Sequence, residues 1–225
     1  VNPSLKRIAK THNHQLKTRV LSFIYNRYRE KIVNICMYRV AINVDEVLVE
    51  FLKPMAQHNK LKLPSKPRYS YVYRNIFDLS QEESSKMVHD FYDSQTFNNL
   101  EPIHGSRAIV QMMRPKISKI YAITGRQECV RRKTEDWLDD NFPRLFDDMI
   151  LTNSYTPRQV CKADICSSLN IDTIIDDSNI DCGICRYMGI NPIHFAGYDE
   201  EMYPWCYEDE TSVTSWVELY KKNLL

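Results

Sequence analysis

The chain has no long apolar run. Nowhere among its 225 residues do eighteen hydrophobic side chains follow one another, so no membrane-spanning helix is expected. It also lacks a strong net charge: the balance is +1. That figure hides an acid-poor start. Residues 1–36 hold eight Lys or Arg and a single acid, Glu30, whereas the other 189 residues carry 22 basic and 28 acidic side chains. A mildly acidic body does not fit a nucleic-acid-binding protein. A second C-x-x-C pair is missing too. Of the seven cysteines only Cys182 and Cys185 have that spacing, and a zinc site would need Cys206 or His194 to complete it. An odd cysteine count in a chain of this length argues against a secreted disulfide scaffold. It fits free thiols in a reducing compartment, cytoplasmic or mitochondrial.

What is present suits one domain with an insertion, since 43% of the residues are hydrophobic. Residues 1–36 read as a basic extension, with an amphipathic helix expected between Leu16 and Ile35. Such a segment fits organellar targeting, a docking arm for a protein partner, or a packing extension. Met37 stands just before the first strand, and the domain is expected to occupy 37–225.

Val40–Leu48 reads as a buried strand and Phe51–His58 as a short helix. Residues 59–80, rich in Lys, Pro and Tyr, read as irregular. Ser80 with Glu83 three residues on is a capping box, which opens a helix over 81–93. Helices are further expected at Ser106–Met113, Glu128–Asn141, Lys162–Leu169, Ile180–Met188 and Ser212–Lys222. Strands are expected at Ile117–Thr124, Met149–Thr152, Ile171–Ile175 and Asn191–Phe195. This β-α-β-α alternation predicts an α/β fold, a Rossmann-like parallel sheet with helices on both faces. Chemistry in such sheets gathers at the carboxyl ends of the strands. Three strands here end in polar residues: Asn43/Asp45, Thr124/Arg126 and Asp176/Asp177. The plain alternative is turn chemistry, because Asp, Asn, Ser and Gly favour turns.

The three clusters suit a phosphate site. Adjacent carboxylates at Asp176 and Asp177 call for a compensating cation, and Mg2+ takes oxygen ligands from one or two carboxylates with waters and phosphate. The Thr124 hydroxyl and the backbone N–H groups around Gly125 and Arg126 suit phosphate oxygens. Lys162 offers a point charge to the same phosphate, and Asp45 a proton for a leaving oxygen. Residues i and i+2 of a strand share a side, so Asn43 and Asp45 would face one pocket. The attacking group is what is missing, because the amide of Asn43 cannot form an acyl phosphate.

In this order the motifs resemble the haloacid dehalogenase (HAD) superfamily: Asn43-Val44-Asp45-Glu46-Val47-Leu48, Ile123-Thr124-Gly125-Arg126, Lys162, and Ile174-Ile175-Asp176-Asp177-Ser178. The segments Asn75–Ser80, His89–Tyr92 and Leu100–Ser106 are similar to the small helical cap of 5′(3′)-deoxyribonucleotidase-like proteins, as are Thr134–Leu138 and Tyr203-Pro204-Trp205. The resemblance covers about residues 38–220. It implies a core over 37–50 and 107–225 with a small helical cap over 51–106. The implied activity is Mg2+-dependent hydrolysis of a phosphate monoester, such as a (deoxy)nucleoside monophosphate, through an aspartyl-phosphate. Asn43 falls at the nucleophile position, Asp45 at the acid/base, Thr124 at the phosphate-binding hydroxyl, Lys162 at the charge-stabilising lysine. Asn43, Asp45, Asp176 and Asp177 fall at the metal site, with Asp177 the direct ligand. Phe51, Tyr73 and Phe77 are expected to shape a nucleobase pocket under the cap. Little or no turnover is expected. Either an aspartate has been exchanged for Asn43 so that substrate is held and not consumed, or the chain is a natural pseudoenzyme kept as a scaffold or subunit of a larger, organellar assembly.

Overall fold

The computed structural model describes residues 38–224 of the chain. The basic extension and its expected helix lie outside the described residues. A six-stranded sheet, every neighbouring pair parallel, has the order β3-β2-β1-β4-β5-β8. Its strands are β1 (Arg39–Asn43), β2 (Lys119–Thr124), β3 (Asp148–Leu151), β4 (Thr173–Asp176), β5 (Asn191–Phe195) and β8 (Ser212–Val213). Between β1 and β2 come α1 (Leu52–His58), α2 (Tyr73–Phe77), α3 (Gln81–Tyr92), α4 (Gln95–Asn98) and α5 (Ser106–Met113). The later helices are α6 (Arg131–Asn141), α7 (Lys162–Ser168), α8 (Asn179–Tyr187) and α9 (Trp216–Lys221), and a small hairpin pairs β6 (Gly197–Tyr198) with β7 (Glu201–Met202).

Strand alternation sets the two faces. Val40, Ile42, Ile120, Ala122, Ile175 and Ile193 belong to a large core that continues through Phe51, Phe91 and Phe97 of the inserted segment. Ala41, Ile123 and Ile174 point the other way, into a smaller core closed by Ala163, Cys166, Cys185 and Ile190. Both faces are therefore covered, as a parallel sheet requires.

The expected strand Val40–Leu48 stops early. Glu46 has φ 63°, and the amides of Leu48 and Val49 turn back to the Val44 carbonyl at 2.8 and 3.1 Å. The turn brings the buried Glu46 carboxylate onto the first amides of α1, accepting from Phe51 N at 3.1 Å and Leu52 N at 2.7 Å. Helix α1 has no side-chain cap at Phe51, so Glu46 satisfies its free amides from six residues upstream. The expected closing helix at Ser212–Lys222 also divides. Ser212–Val213 extends the sheet beside β5, and Ser215 then caps the shorter α9 by accepting from Glu218 N. A β-branched run followed by an N-cap serine favours that split. Within the segment expected to be irregular, residues 73–77 form α2, closed by Asp78 in the left-handed region. Among the described residues no helix is long and apolar enough to cross a membrane.

Candidate functional site

With β1 between β2 and β4, the carboxyl ends of three strands lie side by side. Asn43 ends β1, Thr124 ends β2 and Asp176 ends β4, so the three polar clusters of the sequence meet at one edge. Above them opens a cavity of about 610 Å3. Asn43, Asp45, Gly125, Arg126, Lys162 and Asp177 form its floor; Phe51, Tyr71, Tyr73, Ser84, Val88 and Tyr92 line it from the inserted segment, and Trp205 from the loop after β7.

The floor is held together by two networks. In the first, Nδ2 of Asn43 donates to the Asp45 carbonyl and to Asp177 Oδ1, both at 2.9 Å. The other Asp177 oxygen accepts from Trp205 Nε1 at 2.9 Å. Asp176 accepts from Lys162 Nζ at 2.7 Å and from Ser178 N at 2.9 Å, and Lys162 also pairs with Asp181 at 3.2 Å. Burial alone would lower the Lys162 ammonium, but Asp176, Asp181 and Asp177 outweigh it and hold the group above the usual lysine range. Burial, followed by the nearby Asp176, pushes the Asp177 carboxyl up to about 7 against Lys162, Trp205 and Asn43.

The second network fixes Asp45. Its carboxylate faces Arg126, which donates Nη2 to Oδ1 at 2.7 Å and Nε to both oxygens at 3.1 and 3.2 Å. The guanidinium also donates to Thr134 Oγ1 at 3.2 Å and lies 4.8 Å from the Phe97 ring centroid. Thr124 Oγ1 donates to Asp45 Oδ2 and accepts from Arg126 N, both at 3.2 Å.

Several sequence expectations change here. The Asp45 carboxylate is engaged by Arg126 and Thr124, and it is the Asp45 backbone carbonyl that accepts from Asn43. Asp176 is fully buried against Lys162 and does not line the cavity. Thr124 is likewise fully buried outside the cavity lining, its hydroxyl spent between Asp45 and Arg126, whereas Gly125 beside it does line the cavity. Phe51 and Tyr73 stack at 6.1 Å and both line the cavity. Phe77 does not; it packs half-buried on the main core. The zinc candidates have separate engagements. Cys182 and Cys206 donate to the carbonyls of Asp176 and Asp177, His194 Nε2 lies 3.3 Å from the latter, and Cys185 is buried in the smaller core.

Other participants were not singled out from sequence. Glu46 also accepts from the Tyr71 hydroxyl at 3.0 Å, tying the loop after α1 to the β1 turn. Burial pushes its carboxyl up to about 8, against the hydrogen bonds from Leu52, Tyr71 and Phe51. Burial likewise raises the Tyr71 and Tyr73 hydroxyls well above their ordinary range, so both remain neutral donors. Asp181 is a further omission, whereas Arg126 was expected at the site only as a phosphate contact and Trp205 only as part of the resemblance, not as partners of Asp45 and Asp177. The one available signal was the density of Tyr and Trp in residues 69–73 and 203–207.

Among the described residues no group of three or more His, Cys, Asp or Glu is arranged for a metal. The set that does converge is the Asn43 side chain, the Asp45 carbonyl and Asp177 Oδ1. Its chemistry suits a hard, oxygen-seeking cation once the Asn43 amide presents its oxygen in place of its nitrogen.

No protein-family model matches the chain, and no curated protein matches it in sequence. Solved structures do match in fold. A haloacid dehalogenase-like family hydrolase from Streptococcus pneumoniae superposes with a TM-score of 0.59 at 14% identity, covering 84% of this chain and 99% of that one. A predicted phosphatase from Clostridium acetobutylicum gives 0.58 at 15% identity, over 84% and 98%. A HAD family hydrolase from Deinococcus radiodurans R1, solved with bound phosphate and sodium, gives 0.56 at 14% identity, over 84% and 96%. Six parallel strands in this order, helices on both faces and the superpositions together show that this chain has the haloacid dehalogenase fold.

Proposed function

We propose that this chain binds a phosphate monoester of nucleotide size at the carboxyl edge of its sheet and turns it over little or not at all. The observation that supports this most is the joint placement of Lys162, Gly125, Asn43 and Asp45 on the floor of one cavity roofed by Tyr71, Tyr73 and Tyr92. Lys162 supplies a cation to phosphate oxygens from a position fixed by Asp176 and Asp181. The aromatic roof suits the flat face of a nucleobase, and Arg68 and Arg74 line the cavity farther out. The phosphate reported with the Deinococcus relative is in keeping with this reading. Magnesium, if bound, would be held by Asp177, the Asp45 carbonyl and the Asn43 amide oxygen, and would supply charge neutralisation to the phosphate.

Asp45, positioned by Arg126, is the group for proton transfer to a leaving oxygen. Asn43 occupies the place where an aspartate would attack phosphorus. An amide is too weak a nucleophile for a covalent phosphoryl intermediate, and losing a nucleophile costs several orders of magnitude in rate. Asn43→Asp is therefore expected to raise phosphate release from deoxynucleoside monophosphates by about a thousandfold or more in the presence of Mg2+. A folded Asn43→Asp protein that releases no phosphate would remove the phosphatase ancestry from this reading. The alternative is a natural pseudoenzyme retained as a scaffold or subunit. The Asn43 amide nitrogen, which donates to two acceptors of the floor, favours it, because Asn43 joins the floor together without acting as a nucleophile. Wild-type chain that binds no deoxynucleoside monophosphate yet co-purifies with a defined partner would decide for the scaffold.

A further inference from the structure

Helix α8 is apolar on two opposite faces. Cys182 and Cys185 point inward, one to the Asp176 carbonyl and the other into the smaller core. Ile180, Ile184 and Tyr187, at i, i+4 and i+7, share the outward face and are 76%, 38% and 92% exposed. Gly183 lies in the same stripe, and nothing outside its own helical backbone comes within 4 Å of where a β-carbon on it would stand. The outward face of a helix ordinarily carries polar side chains, so three large apolar ones in a row mark a contact surface.

Position, reach and charge point to one occupant. Tyr38, the first described residue, sits at the amino edge of the sheet with its hydroxyl 2.5 Å from Thr173 Oγ1. Thr173 pairs with Asn191, which follows α8 across the turn at Gly189. Two strand spacings of about 5 Å separate β1 from β5, and a nine-residue helix such as α8 is roughly 14 Å long. Residues 24–37, fully extended, span roughly 45 Å at about 3.3 Å each, so residues before 24 reach any point of α8. There Leu16, Val20 and Phe23 repeat the i, i+4, i+7 spacing of the α8 stripe, among the eight basic side chains of residues 1–36. The surroundings of α8 are acidic. Asn179 and Arg186 hold the 207–210 loop against the helix, with Glu208 and Glu210 exposed on it, and Asp172 is exposed at the amino edge. Arg186 is itself paired with Asp209 at 3.0 Å.

We propose that the outward face of α8 is the docking site of the chain's own basic segment, with Leu16, Val20 and Phe23 set against Ile180, Ile184 and Tyr187. The apolar stripe supplies the burial, and the acids beside it attract Lys17 and Arg19. Ile180 also lines the cavity, so a segment docked along the whole stripe ends at the cavity mouth. The contact is independent of what the cavity binds.

Photo-crosslinking in the full chain tests this, with Tyr187→benzoylphenylalanine as the probe and Met112→benzoylphenylalanine, exposed on α5 across the sheet, as the control. The Tyr187 probe is expected to give adducts within one chain that map to residues 1–36. Their yield should not depend on protein concentration and should exceed that of the control at least about fivefold, because tethering keeps the effective concentration high. Ile184→Asp in the probe chain should lower the yield on the order of tenfold, the effect of losing one buried apolar side chain. Val20→Asp should do the same from the other side of the contact, and it decides the matter should Ile184→Asp fail to fold. Adducts between two chains, rising with concentration, would assign α8 to a second copy and overturn the proposal. Adducts confined to residues 38–224, equal yields at the two probes, or no adduct at Tyr187 overturn it as well.

Discussion

Arg126 shows how much a single residue does at this site. Its side chain is 2% exposed, and its donors go to Asp45 and Thr134 while its plane faces Phe97 and Phe51. A planar fork is required for that geometry, so lysine is no substitute. Arg126→Ala leaves Asp45 without its partner in a largely buried setting and is expected to cost about 3–5 kcal/mol in urea unfolding. Pairing it with Asp45→Asn should recover part of the loss. A cost below about 1 kcal/mol would mean that the pair contributes no more than a surface salt bridge. Asn43 is the counterpart in the other network, where one amide nitrogen joins two strand ends. Both residues were legible in sequence as members of polar clusters. Their partners were not, because Arg126 meets Asp45 and Asn43 meets Asp177 across 81 and 134 residues.

Among the elements, α3 supplies one side of the cavity. Ser80 accepts from Glu83 N at 3.1 Å while the Glu83 carboxylate accepts from Ser80 N at 2.8 Å, the reciprocal pair that the S-x-x-E spacing predicts. The helix then presents Ser84, Val88 and Tyr92 to the cavity. Ser80→Ala is expected to cost about 1 kcal/mol, and the frayed first turn should weaken monophosphate binding more than it affects the sheet. Urea unfolding combined with ligand titration checks this; unchanged stability would mean the cap is redundant. Local signals of this kind located most elements to within a residue or two. They failed at 44–48 and 212–215, where the backbone does something periodicity does not encode. Glu46 turns the chain in order to reach the α1 amides, and Ser212–Val213 finds an open edge beside β5.

At the scale of the whole molecule, the site leaves an electrostatic mark on stability. Glu46, pushed up to about 8, prefers its proton in the folded state, whereas an unfolded glutamate has given it up near 4.5. Folded chain therefore binds more protons than unfolded chain between these values, and stability falls as pH rises through about 8. Asp177, pushed up to about 7, acts in the same sense. Buried His194, whose ring is lowered below its usual 6.5, opposes the trend at lower pH, so the clean window begins near neutrality. Unfolding free energy measured from pH 7 to 8.5 should decline for wild type. It should decline less for Glu46→Gln, which keeps an oxygen for Phe51, Leu52 and Tyr71 without the charge. Identical slopes for the two proteins would remove Glu46 as the cause.

What the sequence determined by itself is what depends on near neighbours: strand and helix alternation, the capping box, and the polar residues that end three of the strands. These follow from side-chain periods of two and 3.6 and from short-range hydrogen bonding. What only the tertiary structure decided is which atom of each polar group meets which partner. It turned the Asp45 carboxylate to Arg126, buried Thr124 and Asp176 behind the cavity floor, set Phe77 on the core, and brought Trp205 to Asp177. Those choices depend on strand order, which places residues far apart in the chain side by side. In a buried site, each polar atom then takes the partner that leaves the fewest hydrogen bonds unmade.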